Sequence, residues 1–185
     1  RKKKPLPKLN GLEITGVAAE GKAIARARLS PESERELVIF IPYGAPGDIA
    51  EAQVDRKKHS YAEAHIVRLE RPSELRIEPR CGHFGLCGGC KWQHLGYQDQ
   101  LRFKRQQVVD SLERIGKVEF PEVRPALGSA REYGYRNKME YTFSHKKWRT
   151  WEEIQSGREF TDSDNALGFH IPGAFDKVLH IERCY

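Results

Sequence analysis

Lys22-Ala23-Ile24-Ala25-Arg26-Ala27-Arg28-Leu29 decides how the first part of this 185-residue chain folds. Ala23, Ala25, Ala27 and Leu29 alternate with Lys22, Ile24, Arg26 and Arg28, which is the two-residue period of a strand. Alanines on one face suit the tight interior of a small closed barrel. Working outward, Leu12–Val17, Glu36–Ile41, Asp48–Arg56 and Tyr61–Leu69 also read as strands. Turn signals fall at Glu20-Gly21, Ser30-Pro31 and Pro42-Tyr43-Gly44-Ala45-Pro46-Gly47-Asp48. Five short strands in about sixty residues are what an OB-like barrel needs, and such barrels commonly bind single-stranded nucleic acid.

Pro72-Ser73 and Pro79 interrupt that pattern and lead into Arg80-Cys81-Gly82-His83-Phe84-Gly85-Leu86-Cys87-Gly88-Gly89-Cys90. The spacing is C-x5-C-x2-C, and the chain's fourth cysteine, Cys184, is its penultimate residue. Thiolates hold iron and zinc strongly, and four of them suit an iron–sulfur cluster or structural zinc. Interspersed glycines let the backbone wrap a bulky inorganic group and aim N–H groups at sulfur. Zinc sites usually pair one CxxC with a second, or with histidines; here the partner is a lone Cys184, with His83 and His94 nearby. Spacing and glycine content favour iron–sulfur. Disulfides are disfavoured, because a charged chain without a signal peptide reads as cytosolic, where thiols stay reduced.

From Tyr97 to Ile115 the period becomes helical. Tyr97, Leu101, Val108, Leu112 and Ile115 form an apolar stripe, expected to pack on the cysteine loop or the following sheet, and Gly116 supplies a stop. Beyond Pro125, strands are expected at Lys138–Ser144, Leu167–His170 and Val178–Ile181, with Glu152–Asn165 a loop or short helix.

The net charge of +6 is unevenly spread: +5 over residues 1–8, −2 over 9–78, +7 over 79–150 and −4 over 151–185. The barrel therefore has little electrostatic pull on phosphate, and the short Lys/Pro tail reads as a solvated end. Between Tyr133 and Trp151, Arg136, Lys138, Lys146, Lys147 and Arg149 interleave with aromatics that include Tyr135 and Trp148. Cations can meet phosphates there while bases stack on rings. No apolar run approaches membrane-spanning length. Phosphate-binding glycine loops and the GxSxG nucleophile elbow are absent from the sequence, and His145 and His170 show no partner in it.

These residues resemble a known family. Ile14-Thr15-Gly16-Val17-Ala18 through Ala45-Pro46-Gly47-Asp48 resembles a TRAM domain, a small RNA-binding barrel. The run Pro72-Ser73, Arg76, Pro79, Cys81, Cys87-Gly88-Gly89-Cys90, Gln93-His94-Leu95, Tyr97, Gln100-Leu101, Lys104 is similar to the cluster region of the uracil-5 RNA methyltransferases of the RumA/TrmA-like family. Gly134-Tyr135-Arg136-Asn137-Lys138, Gly168-Phe169, Ile181 and Cys184 look like that family's central domain.

The resemblance implies a [4Fe-4S] cluster on Cys81, Cys87, Cys90 and Cys184, structural rather than redox-active in turnover. It also implies an S-adenosyl-L-methionine-dependent methyltransferase domain outside these residues. On this reading the chain is a cytoplasmic, monomeric fragment, inactive alone, with structured RNA, ribosomal by analogy, as its partner and no membrane association. The expected fold is an OB-like five-stranded β-barrel, then a cysteine-rich cluster loop, one amphipathic helix and a partial α+β central domain. Its segments are a basic tail (1–8), the TRAM barrel (9–71), the cluster loop (72–96), and the helix with an RNA-binding α+β region (97–185). RNA contacts are expected from Arg136, Lys138, Lys146, Lys147, Arg149, Tyr135 and Trp148. Closing the long loop between Cys90 and Cys184 would restrict the unfolded chain by about 4 kcal/mol, so cluster loss is expected to unfold the central region. A zinc-dependent nucleic-acid-binding module and an iron–sulfur electron-transfer protein are the alternatives.

Overall fold

The computed structural model describes residues 5–157, 159–160 and 164–185. Half of the basic tail, residues 1–4, and part of the expected 152–165 segment lie outside the described residues. The chain forms two compact units. One comprises the residues up to 78 with 94–128, and the other 79–93 with 129–185.

Five strands close the barrel of the first unit: β1 (Lys8–Val17), β2 (Ala23–Ala27), β3 (Leu37–Ile41), β4 (Ile49–Lys57) and β5 (Tyr61–Arg71). Their order round the barrel is β1-β2-β3-β5-β4, with β4 returning to β1. All neighbours are antiparallel except β3 and β5, which run parallel from Val38 opposite Tyr61 to Phe40 opposite Glu63. The expected alternation holds. Ala23 and Ala25, with Ala52, Val54, Ala62 and Ala64, are buried against Leu12, Ile14, Leu37, Ile39 and Ile41. Small residues on β2, β4 and β5 thus face large ones on β1 and β3, as a narrow interior requires. Gly44 lies against this core, since a Cβ there would come within 2.5 Å of Ile14 Cδ1 and 2.8 Å of the Ala23 Cβ.

A buried ion pair fastens the turn before β4 to the chain leaving β5. Asp48, fully buried, accepts from the amides of Ala45 (2.7 Å) and Ser73 (2.8 Å) and from Arg76 Nε and Nη2 (both 2.7 Å). Burial alone would push its carboxyl up. The bonds from Arg76, Ser73 and Ala45 outweigh burial and hold it below the ordinary value. Beside them, buried His94 donates from Nε2 to the Gly44 carbonyl at 3.1 Å, and burial lowers its pKa.

The helix α1 (Tyr97–Asp110) belongs to this unit rather than to that of the cysteine loop. It is shorter than expected, because Ser111–Gly116 widens into a π-turn that ends at Lys117 in the left-handed region. The expected apolar stripe is only partly covered: Tyr97, Leu101 and Leu112 are half-buried, while Val108 is 49% exposed and Ile115 82%. Gln107 instead bonds the Ala18 carbonyl through Nε2 at 2.9 Å, so one contact to the barrel is polar.

In the second unit, β6 (Thr142–Ser144), β7 (Ala166–Ile171) and β8 (Ala174–His180) form an antiparallel sheet in that order. The expected strand at 138–144 is confined to its last three residues, since β7 pairs only with Thr142–Ser144. A short helix, α2 (Trp151–Gln155), opens with a capping box in which Thr150 and Glu153 satisfy each other's backbone amides.

Candidate metal centre and nucleic-acid interface

All four cysteines lie in the second unit, and all are free. The loop that carries three of them is tightly wound. Phe84 N–H donates to the Cys81 carbonyl (3.0 Å), and Leu86 and Cys87 both donate to the His83 carbonyl (3.2 and 2.9 Å). The amide of Gly89 points at Cys87 Sγ at 3.4 Å. Among the loop's glycines, two have a geometric reason. Gly85 has a φ of +89°, and a Cβ on Gly88 would lie 3.0 Å from the His170 carbonyl oxygen and against Pro172.

Cys184 reaches the same place from the far end of the chain. Burial raises the Cys87 thiol, and charge on Cys90, Cys81 and Cys184 raises it further. The Cys184 thiol is raised by burial and then by Cys90 and Cys81, against which Arg136 and the Tyr185 amide pull it down. The Cys87 and Cys184 thiols therefore feel the charge of the other cysteines, which makes their own thiolates harder to form. A bound cation or cationic cluster would reverse that penalty, so the donor set suits a thiolate-ligated metal group. Among the described residues, no three His, Cys, Asp or Glu side chains are arranged to hold a single metal ion. Tyr141 hydrogen-bonds Cys184; burial, and then the charge of Cys184 and Cys87, raise its hydroxyl pKa. Its ring lies 4.7 Å from that of Phe169.

Arg80, next to Cys81, stacks its guanidinium 5.1 Å from the Tyr133 ring centre and 4.5 Å from that of Tyr185. Those two rings meet edge to face at 6.4 Å, and Arg183 also lies over Tyr185, at 4.9 Å. The Glu182 amide donates to His83 Nε2 at 3.4 Å. Sequence reading missed Arg80 and Tyr185. Their one visible signal is that each adjoins a cysteine of the set.

The residues expected to meet RNA are partly brought together. Lys146, Lys147, Trp148 and Arg149, with His145, Ile154 and Lys177, line an open cleft of about 600 Å³. Backbone pairing holds this stretch along β8: Trp148 N–H donates to the Val178 carbonyl (2.7 Å) and Val178 N–H to that of Lys146 (3.2 Å). Lys147 is committed to an ion pair with Glu153 at 2.7 Å, and Arg149 stacks over Phe160 at 3.9 Å. Tyr135, Arg136 and Lys138 do not line the cleft. Tyr135 is exposed, Arg136 lies within electrostatic reach of Cys184, and Lys138 makes an exposed ion pair with Glu140. Lys177 joins the cleft although sequence did not single it out; it is a lone cation beside a β-strand's apolar residues.

The barrel defines the class: residues 12–67 match the TRAM domain. Residues 12–67 thus form a TRAM domain, and nearly the whole chain is similar to proteins named RNA methyltransferase. An uncharacterized RNA methyltransferase of Bacteroides thetaiotaomicron is 53% identical over 169 residues, covering 91% of this chain and 36% of that protein. Another, of Porphyromonas gingivalis, is 49% identical over 176 residues, covering 94% and 36%. The chain thus spans about a third of the length of these curated relatives. Among solved structures, the Pyrococcus abyssi tRNA (uracil-54, C5)-methyltransferase in complex with S-adenosyl-L-homocysteine is 25% identical. That alignment covers 94% of this chain and 32% of that one, with a TM-score of 0.46. Among the described residues, no helix is long and apolar enough to cross a membrane.

Proposed function

We propose that this chain is the RNA-recognition and cluster-binding N-terminal part of an S-adenosyl-L-methionine-dependent RNA (uracil-5-)-methyltransferase. The observation that carries the RNA reading is the cleft at Lys146–Arg149, where cations and an indole line one concavity in a chain homologous to proteins named RNA methyltransferase. Lys146, Arg149 and Lys177 take backbone phosphates, while Trp148 offers a face on which a base stacks. Ribosomal RNA is the proposed substrate, and the protein acts as a cytoplasmic monomer.

Cys81, Cys87, Cys90 and Cys184 hold a [4Fe-4S] cluster. The reading is supported by their spacing and by the influence of the other cysteines on the Cys87 and Cys184 thiols. When bound, the cluster crosslinks the loop and the C-terminal segment; the Gly89 amide and the Tyr141 hydroxyl are placed toward its thiolate ligands. All four thiols are used as ligands, so no cysteine of this chain serves as a nucleophile. The methyl donor and the thiolate that adds to the uracil ring belong to residues outside 1–185, and the chain alone is inactive.

Filter binding to a ribosomal RNA fragment over a salt series tests the first part. Affinity should fall as salt rises, and Lys146→Glu should weaken binding and reduce the salt slope by about one. Salt-insensitive binding, or an unchanged slope, refutes the phosphate role. Iron and sulfide analysis of anaerobically prepared protein tests the second, and zinc without iron refutes it.

A further inference from the structure

We infer that the Cys184 segment is held to the cysteine loop by protein contacts alone, with Arg80 as the positioning residue that bridges Tyr133 and Tyr185. The loaded part of this inference rests on the cluster reading above; the metal-free part does not.

Two contacts join the two segments without a sulfur, and a third seats the loop on the sheet. The guanidinium of Arg80 faces the Tyr133 ring, on the chain entering the sheet, and the Tyr185 ring, one residue past Cys184. The Glu182 amide donates to His83, midway along the cysteine loop. Gly88 packs so closely on the His170 carbonyl and Pro172 that a methyl there would force a shift, so the loop is also seated on the β7–β8 turn. Each contact spans many residues of chain, and none involves a metal ligand's sulfur. Arg183 also stacks on Tyr185, but two residues away, so it closes no long loop.

The consequence is a preorganised donor set. A group bound by four thiolates normally bears the entropic cost of gathering them. Here Cys184 is delivered beforehand, so cluster loss should leave the C-terminal segment in place rather than unfold this region.

Alkylation of metal-free protein by iodoacetamide, followed residue by residue with mass spectrometry, tests this. In the wild type Cys184 should react well below its rate in urea. Arg80→Ala and Tyr185→Ala should each raise the Cys184 rate about tenfold, the scale of losing two cation–π contacts, and Arg80→Lys should restore part of the protection. Arg183→Ala removes a contact on the same ring without the bridge and should leave the rate unchanged. Equal Cys184 rates in native and urea-treated wild type, or an Arg80→Ala rate no different from Arg183→Ala, overturn the inference.

Anaerobic reconstitution with ferrous iron and sulfide provides the second arm. Arg80→Ala should load iron but surrender its visible absorption to a chelator faster than wild type; equal loss rates overturn the positioning role. Failure of the wild type to take up iron overturns the cluster reading, and the alkylation arm still decides whether the bridge exists.

Discussion

Replacing Arg76 by alanine should damage the barrel far more than its place outside the strands suggests. The Asp48 carboxylate is fully enclosed and has four donors within 2.8 Å, two of them from Arg76. Arg76→Ala leaves a buried anion with only the Ala45 and Ser73 amides, and breaking such a pair costs about 3–5 kcal/mol. That is a large part of the 5–15 kcal/mol typical of a domain. The assay is urea unfolding followed by far-ultraviolet circular dichroism. All three tryptophans, Trp92, Trp148 and Trp151, belong to the other unit, so their fluorescence reports that unit rather than the barrel. The far-ultraviolet transition should move to lower urea while the tryptophan transition stays.

The pH dependence supplies a sign. Because the folded Asp48 carboxyl lies below its ordinary value of 3.8, its contribution is fully present above that value and is lost as pH falls through the folded one. Arg76 supplies the largest of the lowering contacts, so without it the carboxyl rises. The variant should therefore lose less stability on acidification than the wild type does. A loss below about 1 kcal/mol at neutral pH, the range of surface ion pairs, would show that Arg76 does not hold the buried Asp48 charge. So would parallel pH profiles.

Gly168→Ala should break the small sheet, because the new methyl would run into the Leu179 carbonyl oxygen and Ile181; a loss of about 3 kcal/mol in the tryptophan-monitored transition is expected. Gly44→Ala should cost the barrel about 1–3 kcal/mol by crowding Ile14 and Ala23, read by far-ultraviolet dichroism with little change in tryptophan fluorescence. Lys147→Ala should destabilise the α2 region by about 1 kcal/mol through loss of the Glu153 pair, yet weaken RNA binding less than Lys146→Ala does; filter binding showing the reverse order would make Lys147 the phosphate ligand.

The barrel was legible because two-residue alternation and turn chemistry are local signals. β2 alone, with buried Ala23 and Ala25 against exposed Arg26, carries the pattern and the size of the interior. The cysteine set was legible as a motif, since spacing survives without knowledge of the fold. Tertiary pairing was not. Lys146 and Lys147 look alike in sequence, but only Lys147 faces Glu153, and that partner is fixed by a capping box rather than by any phosphate-binding pattern. The helix misled for a related reason. Tyr97, Leu101, Val108 and Leu112 have helical spacing, but Lys104, Arg105, Gln106 and Gln107 leave too narrow a stripe to be fully covered. Arg80 and Tyr185 carry no periodic signal, because their meeting depends on a chain reversal between residues about a hundred apart.

The two units are stabilised by different physics. The barrel buries eleven apolar residues in one cluster, so its stability comes mainly from the area it removes from water. Among the described residues of the second unit the buried apolar ones are Ala166, Val178, Leu179 and Ile181, a small core for about seventy residues, and units of that size usually need a staple. The cation–aromatic bridge, the His83–Glu182 hydrogen bond and the thiol set add contacts to that small core. A protein-only bridge would keep the ligands assembled, and a thiolate-bound cluster would then add its binding free energy to folding. Reconstitution should therefore raise the stability of this unit, in proportion to iron bound, and leave the barrel transition where it was. Equal shifts in the tryptophan and far-ultraviolet transitions would mean that the two units unfold as one, and that the division of labour drawn here is wrong.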